Sequence, residues 1–155
     1  MNAFLKLHRA SQCWDTRLSD WGGSLLLLAI RLHVGWQFFK AGLLKIQDWD
    51  STLALFHDEY QVPLLPPELA ALLGAGGELL FPALLFLGLF TRPAAMGLFL
   101  VNLVAVAAYP ALFQFECPAA LNNHFFWGIL LLVGVAFGSG RLAVDPWLAR
   151  RAKLD

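Results

Sequence analysis

The side chains of this chain that could do chemistry stand where lipid would be expected. Arg31, His33, Gln37 and Lys40 interrupt the apolar stretch Leu25–Lys45, and Glu78 and Asn102 interrupt two later ones. An ionisable group at bilayer depth costs from about 3 to over 10 kcal/mol unless it meets a partner or water. On a helical wheel His33, Gln37 and Lys40 fall within an arc of ~60°. Arg31 lies on the opposite side, with Gly35 and Gly42. At 1.5 Å per residue, Arg31 lies ~15 Å from Trp21, Glu78 ~18 Å from Phe90 and Asn102 ~15 Å from Arg92. These similar depths predict an Arg31–Glu78 ion pair with Asn102 beside it. Ala71, Gly74, Ala75 and Gly77 around Glu78 would let another helix approach closely. Such a cluster is either a fastener between helices or the centre of a proton relay or substrate site.

A second group gathers toward the other membrane face. Lys40, Gln37, Glu116, Asn123 and His124 could line an outward-open polar pocket for a quinone head group, a small anion or a modified peptide. The plainer alternative is that Lys40 snorkels and that Asn122, Asn123 and His124 form a polar helix start. His33 and His124 are the residue type for bis-histidine haem, but their depths differ, which argues against it. No metal site is expected, because carboxylates and imidazoles form no compact cluster. Cys13 and Cys117 form no CxxC, and the chain has no phosphate loop, GxSxG or HExxH.

These residues need helices to hold them. The spacing predicts an all-α integral membrane protein, an antiparallel bundle of four transmembrane helices at about 21–45, 67–89, 92–112 and 121–138. Pro67 and Pro93 suit a first helical turn, and Pro82 suggests a kink. Long unalternating apolar runs exclude a β-barrel. In the first outer loop Trp49, Leu53, Phe56 and Tyr60 recur at helical spacing, which predicts an amphipathic helix on the membrane surface or capping the bundle, with Asp50 as its cap. Residues 1–20 read as a cytoplasmic amphipathic segment, 21–146 as the membrane domain and 147–155 as a basic cytoplasmic tail. The first apolar run begins only at Leu25 and is followed by no cleavage site, so it is expected to remain in the mature protein.

Composition agrees. Of 155 residues, 59% are hydrophobic and 14% charged, against about a quarter charged in soluble domains. Mean hydropathy is +0.63. Eleven basic and eleven acidic residues cancel, which gives no reason to expect nucleic-acid binding. With four spans, eight Lys and Arg residues share the side of the termini, while Lys40 and Lys45 alone lie toward the other. The positive-inside rule then places both termini in the cytoplasm.

The segment Arg31-Leu-His-Val-Gly35-Trp-Gln-Phe-Phe39-Lys-Ala-Gly42-Leu-Leu-Lys45 resembles the opening signature of DoxX-family membrane proteins. Gly77-Glu78, Leu87-Gly88-Leu-Phe-Thr91-Arg92 and the close Gly138-Ser-Gly140-Arg141-Leu-Ala-Val-Asp145 follow in the family's order. The resemblance covers about residues 24–146. It implies a four-helix bundle in the bacterial inner membrane. Relatives are described as membrane subunits of quinone-linked sulfur oxidation or as partners in thiol and oxidative-stress complexes. The WDSTLALF and VPLLPPELAALL stretches look like those of members encoded beside iron-dependent peptide-modifying enzymes and linked to copper stress. Two function classes follow. One is a membrane subunit or anchor of a redox or metal/oxidative-stress pathway, with a protein partner and no chemistry of its own. The other is a quinone-linked oxidoreductase subunit or small-molecule transporter. Lipid contact is common to both, and both allow a homo-oligomer.

Overall fold

The computed structural model describes residues 18–113 and 119–152, with 7–8, 11–12 and 14–15 before them. Most of the N-terminal segment, Cys13, Glu116, Cys117 and the last three residues therefore lie outside the described residues. A single π-helical turn, Leu18–Gly22, leads into α1 (Gly23–Gln47). There follow α2 (Trp49–Asp58), α3 (Pro67–Leu87), α4 (Thr91–Ala108), a 3-10 turn (Pro110–Phe113), α5 (Ala119–Phe137) and α6 (Val144–Arg151). Among the described residues there is no strand.

The four long helices form an antiparallel ring in which α1 packs on α3, α3 on α4, α4 on α5 and α5 back on α1. Helices α3, α4 and α5 are long and apolar enough to cross a membrane. The 25-residue α1 is the longest, and charges interrupt its apolar run. This is an all-α, multi-pass membrane protein. At the ring's centre lie Val34 and Phe38 of α1, Leu85 of α3, Ala94, Ala95 and Leu98 of α4 and Leu131 of α5. Glycines set the closeness of α1 to α3. A Cβ at Gly35 would lie 2.7 Å from the Phe86 ring, and one at Gly42 would lie 2.9 Å from Leu79 and 3.0 Å from Glu78.

Proline and glycine place the breaks. Pro67 opens α3 after an extended Pro66, where its missing N–H and fixed φ cost nothing. Gly88, at φ +65°, closes α3 in the left-handed conformation, which glycine adopts without steric cost. The third span is shorter than its apolar run: α4 stops at Ala108, not at residue 112, because Pro110 cannot continue the helix ladder. The start of α2 is capped by Asp48, not Asp50. Asp48 Oδ1 accepts from the Ser51 N–H at 3.1 Å, and Oδ2 accepts from its hydroxyl at 2.7 Å. Asp50 already lies inside the helix. The amphipathic face of α2 is turned onto the bundle, where Phe56 packs with Ala70 and Ala71 of α3 and with Trp49, Leu53, Tyr60 and Val62.

At the opposite end a clasp joins distant parts of the chain. Asp145 accepts from the N–H groups of Phe90 (2.8 Å) and Thr91 (2.9 Å), so the first turn of α4 is capped from 54 residues away. The Asp145 N–H donates to the Gly88 carbonyl at 2.9 Å. Ser24 Oγ accepts from the Arg141 N–H at 3.0 Å, and the Arg141 guanidinium pairs with Asp20 at 2.6 Å.

Candidate functional site

The Arg31–Glu78 pair expected from depth does not form. Gly42 is level with Glu78 and Gly35 with Phe86, so Arg31 lies eleven residues, ~16 Å, from Glu78 along the bundle. The expectation failed because it measured α1 from Trp21. The first two turns of α1 run past the α3–α4 turn and pack against the segment after α5, where Ser24 bonds Arg141. Arg31 is buried, and its guanidinium donates to the Leu85 carbonyl (3.3 Å) and the Leu142 carbonyl (2.6 Å). It satisfies backbone groups at the end of α3 and in the closing loop.

Glu78 meets Lys45 instead, with Nζ to Oε2 at 2.6 Å and side chains 20% and 9% exposed. Helical side chains lean toward the helix N-terminus. In antiparallel α1 and α3 this brings the Lys45 stem down and the Glu78 carboxylate up until they touch. Asn102 also leaves the expected triad. Its Nδ2 donates to the His124 carbonyl at 3.0 Å, and its Oδ1 lies 2.7 Å from His124 Nδ1. The Trp127 ring stands edge-on to the imidazole at 5.1 Å. That pair ties α4 to α5.

The remaining candidates do not converge. His33 and Lys40 are exposed on the outside of α1, Gln37 is half-buried and Asn123 is exposed at the start of α5. Glu116 lies outside the described residues. Among the described residues no three of His, Cys, Asp and Glu come together as metal ligands.

What the fold does build is a cleft of about 320 Å³ between α3 and α4, roofed by α2 and the loop after it. Its walls are apolar, from Leu73, Phe81, Leu100 and Val104 among others, and the Lys45–Glu78 pair lies on its lining. Pockets with this mostly apolar lining and few polar groups are the usual form of a small-molecule site. Tyr60 contributes a phenol. Its ring stacks on Phe56 at 4.8 Å and lies 5.1 Å from the Tyr109 ring. Burial, then the negative charge of Glu78, pushes its pKa above the ordinary tyrosine value, so it remains a neutral donor. The roof is held at both ends. Thr52 Oγ1 donates to the carbonyls of Lys45 (3.0 Å) and Asp48 (2.9 Å), and the Gln61 N–H donates to the Ala108 carbonyl at 2.7 Å. The site thus offers an ammonium, a carboxylate and a phenol beside an apolar slot.

Sequence reasoning missed Lys45, Tyr60 and Asp145 as positioned groups. Lys45 was legible from its place three residues after Gly42, given the lean of helical side chains. Nothing local announced Tyr60 as a cleft residue or Asp145 as a cap in trans.

A protein of Haemophilus influenzae described as uncharacterized is 29% identical over 141 residues, covering 88% of this chain and 91% of the relative. No solved structure matches the chain significantly. The DoxX family profile matches residues 26–111, which takes in all but the first residues of α1, the roof, α3, α4 and both partners of the Lys45–Glu78 pair. The chain belongs to the DoxX family.

Proposed function

We propose that this protein is a membrane subunit of a redox or metal/oxidative-stress pathway, and that its own part is to hold a lipid-soluble quinone in the α3–α4 cleft. The carrying observation is the apolar cleft of about 320 Å³ lined on one side by the Lys45–Glu78 pair. A quinone has the matching form, an apolar tail and a ring whose two carbonyl oxygens accept hydrogen bonds. The Lys45 ammonium and the Tyr60 phenol are the donors, and Glu78 keeps Lys45 in place. The residues at the site would bind and orient the ring and exclude water from it. The excess of Lys and Arg on the side of the termini supports a bacterial inner-membrane location with both termini cytoplasmic. The cleft then opens toward the outer half of the bilayer.

The test is direct. Protein purified in mild detergent is extracted with organic solvent, and the extract is assayed for quinone. The delipidated protein is then titrated with decylubiquinone while tryptophan fluorescence is followed. We expect quinone in the extract and saturable quenching that Glu78→Gln and Lys45→Met each weaken. An extract without quinone, together with quenching that never saturates, overturns the reading.

A further inference from the structure

The outer face of α1 carries a second message, independent of the cleft. Ala29, His33, Trp36, Lys40 and Leu44 follow one another at spacings of 4, 3, 4 and 4, and all are exposed. This is the spacing of a helix-packing seam, yet no helix of the bundle covers it: α1 packs on α3 and α5 through its opposite side. Trp36 is 51% exposed and Leu44 68%. Lys40 is the telling residue. Gly42 faces Glu78 and Leu79, near the middle of the 21-residue α3, so Lys40 stands within one turn of mid-bundle. Neither Lys40 nor His33 has a hydrogen-bond or ion-pair partner among the described residues. Ionisable groups at this depth almost always face protein or a water-filled cavity.

A second copy of this chain does not supply what is missing. A parallel two-fold pairing of α1 with itself would set Lys40 against Lys40. Among the described residues of the four bundle helices, Glu78 is the one carboxylate away from a helix end, and it already holds Lys45. We infer that this seam is the docking face for a transmembrane helix of a different protein, one that carries a carboxylate at the depth of Lys40.

The probe is a synthetic leucine-rich transmembrane helix with a single central glutamate, compared with the same helix carrying glutamine. Energy transfer to labelled full-length protein in phosphatidylcholine vesicles reads the association. The glutamate helix should associate about tenfold more strongly than the glutamine helix, as one polar contact between helices in lipid allows. Lys40→Met should abolish that difference and Lys40→Arg should keep it. Lys40 is exposed, so neither change disturbs the core. Equal association of both helices overturns the inference, and so does a preference that survives Lys40→Met. Self-association of the protein that Lys40→Met alters would replace the foreign helix with a second copy, and this too overturns it.

Discussion

Breaking the Lys45–Glu78 pair is the sharpest test of the helix register. The two side chains touch at 2.6 Å and are 20% and 9% exposed. Removing one partner leaves the other charge largely buried, which costs about 3–5 kcal/mol for a fully enclosed pair. The partial exposure of Lys45 favours the lower figure, so Glu78→Gln and Lys45→Met should each lose about 3 kcal/mol. The double variant leaves no orphaned charge, and it should lose about 1.5–3 kcal/mol less than the two single losses added together. Arg31→Gln combined with Glu78→Gln should behave differently. The two residues lie ~16 Å apart along the bundle and share no partner, so their losses should add within about 0.5 kcal/mol. Unfolding in mixed detergent and SDS micelles, followed by circular dichroism, measures all five variants against wild type. Additive losses for Lys45 and Glu78, or coupling between Arg31 and Glu78, would refute the register in which Gly42 faces Glu78.

Three further outcomes follow from the geometry. Gly42→Val places methyl groups where even a Cβ would lie 2.9 Å from Leu79; it should force α1 off α3 and lower the melting temperature in detergent, while Gly22→Val, at a position with open space around it, should not. Asp145→Ala uncaps the first turn of α4 and should cost about 1–2 kcal/mol of stability, with faster hydrogen exchange at the Phe90 and Thr91 amides. The Ser51 hydrogen bonds hold the Asp48 carboxyl below its ordinary pKa. Its contribution is therefore complete above the unfolded value of roughly 3.9 and is lost as pH falls through the lower folded value. Protease access to the 59–66 loop should rise over that acid range, and Asp48→Asn should remove the pH dependence.

The class of the protein and the approximate extent of its helices were legible in the amino-acid order alone. Runs of about 20 apolar residues have few alternatives in water or lipid. Pro67 acts on its own backbone and its opening of α3 could be read locally, whereas α3 and α4 end at Leu87 and Ala108, short of the ends their apolar runs suggest. The 4, 3, 4 spacing of Trp49, Leu53, Phe56 and Tyr60 likewise announced α2. Which polar groups meet depends on how the helices pack against one another, and this could not be read from the chain. Arg31, Glu78 and Asn102, which the sequence singled out, are all buried, yet each has a different partner from the one depth alone proposed. A sliding error of about three turns between antiparallel helices leaves every helix pattern intact and changes every contact. Here the register is fixed by Gly35 against Phe86, Gly42 against Leu79 and the Asp145 clasp on the α3–α4 turn. Those contacts join residues that are far apart in the chain, and no local propensity encodes them.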